Sequence, residues 1–223
     1  MYRRIFAEYE IVFVVRYKYV ICIVCFFTLI VFDAWLSEEL WHSAQPDSRN
    51  VLDAVWEDIV YFPIPESSFD KKGYSVSYTD SFMQSRSYGG ERFHEGCDIM
   101  AGINERGHYP VVSVSDGCVE KMGWLKLGGY RVGIRSPNGV YFYYAHLSDY
   151  APELICGMEV KAGDLLGFMG DTGYSEVEGT TGQFPVHLHF GIYLNEADGE
   201  EKSYDPYPFL QELEGHKLEF YYE

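Results

Sequence analysis

The chain has 223 residues, of which 47% are hydrophobic and 17% aromatic, so it is long enough to bury one substantial core. Its 34 acidic residues outnumber its 17 basic ones and give a formal net charge of −17. This balance argues against nucleic acid, or an anionic membrane surface, as a partner bound through a basic patch. No nucleic acid and no protein partner is inferred from the sequence.

The N-terminal region is predicted to contain a membrane-targeting segment. Residues 19–32 are uncharged and apolar, and they follow four basic residues, Arg3, Arg4, Arg16 and Lys18. We predict a cytoplasmic N-terminus over residues 1–18 and a transmembrane signal anchor over residues 19–36, because basic residues stay on the cytoplasmic side. The alternative is a cleaved signal peptide, since an apolar run of this length is also typical of a signal core.

This targeting segment predicts a single-pass protein of the cell membrane whose main domain is extracellular, or a secreted protein if the segment is cleaved. Cys22 and Cys25 lie inside the apolar run and are interpreted as membrane residues. The other cysteines, Cys97, Cys118 and Cys156, have no regular spacing, which favours free thiols over a disulfide framework.

Residues 37–61 predict a helical stalk that packs on the domain after it. Leu52, Val55, Trp56 and Ile59 recur at helical spacing, and the prolines that follow end the helix. We predict the main domain over residues 62–215 and a C-terminal tail over residues 216–223.

Short strands and turns dominate the main domain. An Asp-Gly pair separates residues 111–115 from 119–124, and an Asn-Gly pair separates residues 130–135 from 140–147. Both pairs are hairpin signals. Abundant Tyr, Val and Gly point the same way, so the sequence predicts a mainly β domain.

Residues 186–194 alternate in polarity. One parity holds only apolar side chains, and the other holds His187, His189, Gly191 and Tyr193. Because successive side chains of a strand point to opposite faces, this predicts a half-buried strand with an imidazole face. The two imidazoles would lie about 6–7 Å apart along the strand and reach a common point.

A second set of polar residues lies in the segment HEGCD. His94 and Asp98 are four residues apart and share a face if the segment is extended, with Gly96 leaving space between them. Cys97 has the opposite parity and is predicted to face the core, as is Phe93. With one histidine of the HxH pair, the chain offers three nitrogen and oxygen ligands and an open fourth position, as in a catalytic zinc site.

His146 lies on another predicted strand. It shares parity with Phe142 and Tyr144 and is predicted to point out of a half-buried strand. The remaining histidines are interpreted as surface residues: His42, His108 and His216.

In the order HEGCD, YYAHLS and VHLHFGIY, these segments resemble the three motifs of the lysostaphin/LytM-type zinc endopeptidases, which cut peptidoglycan cross-bridges or stem peptides. The resemblance runs from about residue 88 to residue 210. It implies a barrel-sandwich hybrid (duplicated hybrid motif) of antiparallel strands, so residues 62–215 are expected to be a zinc metallopeptidase domain. It also implies roles for five residues: zinc ligands His94, Asp98 and His189, and catalytic histidines His146 and His187.

The expected function is therefore zinc-dependent hydrolysis of peptide bonds in peptidoglycan, with Zn²⁺ as cofactor and peptidoglycan and the cell membrane as partners. The alternative is a non-enzymatic, zinc-loaded scaffold or activator of another wall hydrolase; a secreted peptidase acting on proteins also fits the site. One departure from the family lies in residues 171–185, which form a longer approach to the HxH strand than the usual S-T-G-P type. This change leaves the substrate preference open.

Overall fold

The computed structural model describes residues 52–87, 90–196 and 199–223. Within those ranges, no helix is both long and apolar enough to cross a membrane. The predicted cytoplasmic N-terminus and transmembrane anchor lie outside the described residues, as do residues 37–51 of the predicted stalk.

Strands make up most of the regular structure in the described residues, and helices are few. The helices are α1 (Asp53–Asp58) and α2 (Tyr207–Leu213). The strands are β1 (Glu66–Ser67), β2 (Val76–Tyr78), β3 (Ser85–Arg86), β4 (Arg92–Phe93), β5 (Cys97–Ala101), β6 (Pro110–Val112), β7 (Gly117–Leu125), β8 (Gly129–Arg135), β9 (Tyr141–Tyr150), β10 (Glu159–Val160), β11 (Leu165–Met169), β12 (His187–Asn195), β13 (Glu201–Tyr204) and β14 (Glu219–Phe220).

Ten of these strands form one sheet, with β12 near its middle. The strand order is β10-β7-β8-β9-β12-β5-β2, with β13 added beside β12 and with β11 pairing both β9 and β6. Every pair in this sheet is antiparallel. The prediction of a mainly β, antiparallel domain is confirmed. The pairing places His189 opposite Asp98 on β5 and opposite Ala145 on β9, so β12 brings distant segments together.

The core lies against one face of β12. The ring of Phe190 stacks on Phe142, with centroids 6.2 Å apart and an angle of 8° between the planes. Burying one side chain of this kind contributes about 1.5–3 kcal/mol. The predicted alternation is confirmed, since all the apolar residues of this segment are buried: Val186, Leu188, Phe190, Ile192 and Leu194.

The two hairpin predictions have different outcomes. The Asn-Gly hairpin is confirmed, because β8 and β9 pair around Gly139, whose φ of 85° suits glycine. The Asp-Gly hairpin is wrong, because β6 pairs with β11 while β7 pairs with β8 and β10. All three residues of β6 are buried. The segment therefore lies inside the domain instead of forming one arm of a surface hairpin.

The helices and the last strand close the domain. α1 inserts Val55 into the core, and Trp56 packs on Phe209 of α2 with ring centroids 4.3 Å apart. β1 and β14 form a parallel two-stranded ribbon. Further backbone bonds extend this contact, from Phe62 N to His216 O at 3.2 Å and from Glu66 N to Leu218 O at 2.7 Å. The first and last described segments are thus tied together.

Candidate active site

Three potential metal ligands converge above the polar face of β12. His94 Nε2 lies 3.0 Å from Asp98 Oδ1 and 2.9 Å from His189 Nδ1, and Asp98 Oδ1 lies 3.1 Å from His189 Nδ1. Within the described ranges, these three residues are the set of His, Cys, Asp or Glu side chains whose ligand atoms lie close enough to one another to hold a metal ion. The structure therefore brings together all three predicted ligands.

The donors of this cluster fit a cation. His94 Nδ1 lies 2.9 Å from Ser81 O, which can only accept, and in the Nδ1–H tautomer that this carbonyl favours, Nε2 presents a lone pair to Asp98. Burial alone would raise the pKa of the Asp98 carboxyl, but the surrounding histidines outweigh burial, and this pKa lies well below its usual range. Two lone-pair atoms 3.0 Å apart need a positive centre between them, which a divalent metal ion provides.

Burial also keeps the neighbouring imidazoles neutral. It lowers the pKa of His189, and it lowers the pKa values of His187 and His146 as well. A neutral imidazole is the form that binds a metal or accepts a proton. Burial therefore keeps these imidazoles in the neutral form that metal binding and proton acceptance both need.

His146 and His187 lie beside the ligand cluster and face each other, with ring centroids 4.7 Å apart. His187 Nδ1 donates to Pro185 O at 2.8 Å, and His146 Nδ1 donates to Thr172 O at 2.7 Å. Carbonyl acceptors fix the Nδ1–H tautomer in both rings, which leaves Nε2 with the lone pair. Nε2 of His187 is 3.8 Å from Asp98 Oδ1, so this lone pair lies at the edge of the cluster.

The orientation of His146 has a different cause from the predicted one. Phe142 and Tyr144 are fully buried and face the core, so shared parity with them would turn His146 inward. Instead, the register of β9 against β8 shifts between Tyr144 and Leu147, and His146 has a φ of 64°. A bulge of this kind re-aims one side chain, and it places His146 in the groove.

The long approach loop, residues 171–185, encloses the two histidines. Phe184 packs on His146 and His187 at centroid distances of 4.6 and 5.0 Å. Tyr174 packs on Phe184 at 4.8 Å and accepts a hydrogen bond from Arg92 Nη2 at 3.1 Å. The loop therefore supplies an aromatic wall beside the catalytic candidates.

The cluster opens into a groove of about 530 Å³. Its lining includes Tyr141, Tyr143 and Tyr193 along the polar face of the sheet, and Tyr193 donates to Glu95 O at 3.3 Å. A groove of this size and open shape suits an extended peptide.

The HEGCD segment and the residue before it agree only partly with the predicted faces. Cys97 is buried as predicted, and its Sγ donates to Thr79 O at 3.3 Å instead of joining the cluster of potential ligands. Phe93 is 59% exposed, and the prediction that it faces the core is wrong because the strand of this segment begins only at Cys97. A Cβ on Gly96 would lie 2.6 Å from Phe190 O and 2.7 Å from His189 Cε1, so glycine at this position makes room for the His189 ring.

Arg86 is a residue of the site that the sequence did not predict. Arg86, on β3, donates from Nη2 to Asp98 Oδ2 at 2.8 Å. It lies in a stretch without periodicity or motif, so no signal in the sequence could have identified it.

Comparisons with known proteins agree with the geometry. Residues 92–206 match Peptidase family M23. The L-Ala--D-Glu endopeptidase of Bacillus subtilis is 39% identical over 160 residues, which cover 71% of this chain and 45% of that protein. Lysostaphin of Staphylococcus simulans is 34% identical over 120 residues, which cover 53% of this chain and 21% of lysostaphin. The chain thus aligns with less than half the length of either relative.

A solved structure is also similar. The crystal structure of a Ruminococcus gnavus protein, described as a lytM glycyl-glycine endopeptidase, is 58% identical and superposes with a TM-score of 0.70. The match covers 76% of this chain and 66% of that one. Because the family match spans more than half of the sequence and includes the five histidine and aspartate residues His94, Asp98, His146, His187 and His189, the chain belongs to Peptidase family M23.

Proposed function

We propose that this chain is a zinc-dependent endopeptidase that hydrolyses peptide bonds in peptidoglycan cross-bridges or stem peptides. The observation that carries the proposal is the convergence of His94, Asp98 and His189 in a groove that also holds His146 and His187. The names of the relatives support the substrate class, since one denotes an L-Ala–D-Glu endopeptidase and another a glycyl-glycine endopeptidase.

Zinc suits the ligand set. Two imidazole nitrogens and one carboxylate oxygen, with a fourth position left open, are typical of catalytic zinc sites. When bound, zinc polarises a peptide carbonyl and makes water a better nucleophile near neutral pH. His94, Asp98 and His189 would hold it, each through the atom that now points into the cluster.

His146 and His187 would carry out the proton transfers of the reaction. Each ring is buried and neutral and presents Nε2, so either can take a proton from the attacking water. The resulting imidazolium then donates from Nε2 to the departing amine or to the developing oxyanion. Their Nδ1 bonds to Thr172 O and Pro185 O keep the rings from rotating away during this exchange.

We also propose the barrel-sandwich hybrid arrangement of such peptidases for residues 62–215. It is supported by β11, which leaves the main strand order to pair with both β6 and β9. For the N-terminus we propose the signal anchor over residues 19–36, supported by an apolar run behind basic residues. The domain would then lie outside the cell, where peptidoglycan is within reach, or be secreted if the segment is cleaved.

The test uses the purified full chain in detergent with isolated peptidoglycan. Mass spectrometry of the released muropeptides should identify one type of cleaved peptide bond, and a chelator should stop the release. His94→Ala should lose zinc and activity together, because two ligands hold the metal poorly. Stoichiometric zinc in a folded His94→Ala protein would refute the ligand set. An inert, zinc-loaded chain that stimulates another wall hydrolase would establish the scaffold function instead.

A further inference from the structure

Arg86 lines the groove and contacts the ligand cluster there. It belongs to the short β3–β4 hairpin, and its side chain is about one-third exposed. Nη2 donates to Asp98 Oδ2 at 2.8 Å and lies 3.0 Å from His94 Nδ1. The guanidinium thus contacts two of the three proposed ligands, at Asp98 Oδ2 and His94 Nδ1, and not at the atoms Asp98 Oδ1 and His94 Nε2 that face each other.

Because of this contact, the two carboxylate oxygens of Asp98 have different partners. Oδ1 is the atom that approaches His94 Nε2 and His189 Nδ1, at 3.0 and 3.1 Å. Oδ2 is the atom that Arg86 holds. A carboxylate can bind a metal through one oxygen or through both, and the second mode would use a coordination position. Holding Oδ2 in a charge-assisted hydrogen bond opposes that second mode.

We propose that Arg86 is a positioning residue that keeps Asp98 bound to the metal through Oδ1 alone and so preserves the open position for water and substrate. The inference rests on the zinc site of the proposed function. Arginine suits this task because its guanidinium is always charged and its donors have a fixed geometry. Partners of this kind, one step removed from the metal, typically change activity or metal affinity by about 10–100-fold when mutated.

Metal affinity alone would be an ambiguous readout. The positive charge of Arg86 repels a cation, so its removal favours binding, whereas the loss of Asp98 orientation opposes it. The coordination number separates these effects, because charge repulsion does not change the number of ligand atoms. Cobalt(II) reports this number, since a four-coordinate ion absorbs visible light more strongly than a five-coordinate one.

The experiment loads the full chain with cobalt(II) and compares native protein with Arg86→Met and Arg86→Ala. Arg135→Met is the matched control, because Arg135 is also partly buried in an ion pair, with Glu201 at 2.7 Å, but that pair contains no proposed ligand. We expect weaker visible bands at unchanged stoichiometry in both Arg86 variants and a native spectrum in the control. The zinc-loaded Arg86 variants should also lose about 10–100-fold in kcat.

A native cobalt spectrum in a folded Arg86 variant would overturn the proposal, whatever its activity. If Arg86→Met does not fold, Arg86→Ala decides by the same criterion, and circular dichroism identifies which variant is folded. Failure of the proposed function gives a different result: the native chain would then bind no stoichiometric metal.

Discussion

His187 and His189 turn different nitrogens toward the groove, although they are two residues apart on β12. Nδ1 of His187 is occupied by Pro185 O, so Nε2 faces the site. Nδ1 of His189 instead lies 3.1 Å from Asp98 Oδ1, inside the ligand cluster. A ligand must direct its lone pair at the metal, whereas a base only needs to reach the reacting water. The hydrogen bonds therefore favour His189 as ligand and His187 as proton carrier.

This difference predicts opposite results for two neighbouring substitutions. His189→Ala should lose both zinc and activity. His187→Ala should keep zinc and lose activity by roughly two to four orders of magnitude, the usual scale of acid–base and oxyanion effects. Metal content by mass spectrometry and the rate of muropeptide release measure the two properties separately. If His187→Ala loses zinc while His189→Ala keeps it, the two roles are reversed.

At this scale the sequence predicts a side chain well where a strand is regular. The faces of residues 186–194 follow from alternation alone, and so does the burial of Cys97. Alternation does not predict the orientation of His146, where a bulge breaks the period of two, or of Phe93, which lies before the strand begins. Arg86 could not be predicted, since its contact with Asp98 depends on how a separate hairpin packs.

Among the elements, the loop of residues 171–185 does most to shape the surroundings of the catalytic candidates. Asp171 anchors its start by accepting hydrogen bonds from Arg106 Nε at 2.5 Å and from Gly182 N at 2.9 Å. The anchored loop carries Phe184 onto the rings of His146 and His187. Its length was visible in the sequence, but its contact with these histidines depends on the folded loop and was not.

Phe184→Ala should therefore lower kcat by about tenfold while zinc content stays native. Each aromatic ring pair contributes about 0.5–1.5 kcal/mol, and Phe184 makes such contacts with both histidines. The measurement is kcat on soluble muropeptides, together with metal content. Val177→Ala is the control, because Val177 lies in the same loop but is 69% exposed. Equal rates for the two variants would show that the aromatic wall has no role in positioning.

On the scale of the whole molecule, the β1–β14 ribbon joins the beginning of the domain to its end. Ser67 is fully buried there, and its Oγ donates to Tyr222 O at 2.6 Å and accepts from Phe69 N at 3.1 Å. The sequence predicted a separate tail over residues 216–223 and gave no sign of this pairing. Parallel pairing of two-residue strands depends on the assembled domain, because so short a segment has no period of its own.

Ser67→Ala should lower the free energy of unfolding by about 1–3 kcal/mol, because it removes the hydroxyl that bonds to both Tyr222 O and Phe69 N, and each such hydrogen bond contributes about 0.5–1.5 kcal/mol. For a chain of this size, that corresponds to a loss of roughly 2–4 °C in Tm for each kcal/mol. Ser68→Ala is the neighbouring control, since Ser68 is exposed and its Oγ bond to Phe220 O is long, at 3.3 Å. Thermal unfolding followed by circular dichroism compares them; equal Tm values would mean that the ribbon does not stabilise the domain.

The central position of β12 also determines when the site can exist during synthesis. Asp98 and His189 are 91 residues apart in the chain and meet only when β12 pairs with β5. A ribosome adding about 5–20 residues per second needs roughly 5–20 s to cover that separation. Throughout this interval the nascent chain contains His94 and Asp98, two of the three proposed ligands, but not yet the strand that carries His189. The proposed metal site is therefore incomplete until the ribosome has added β12, which comes late in the domain.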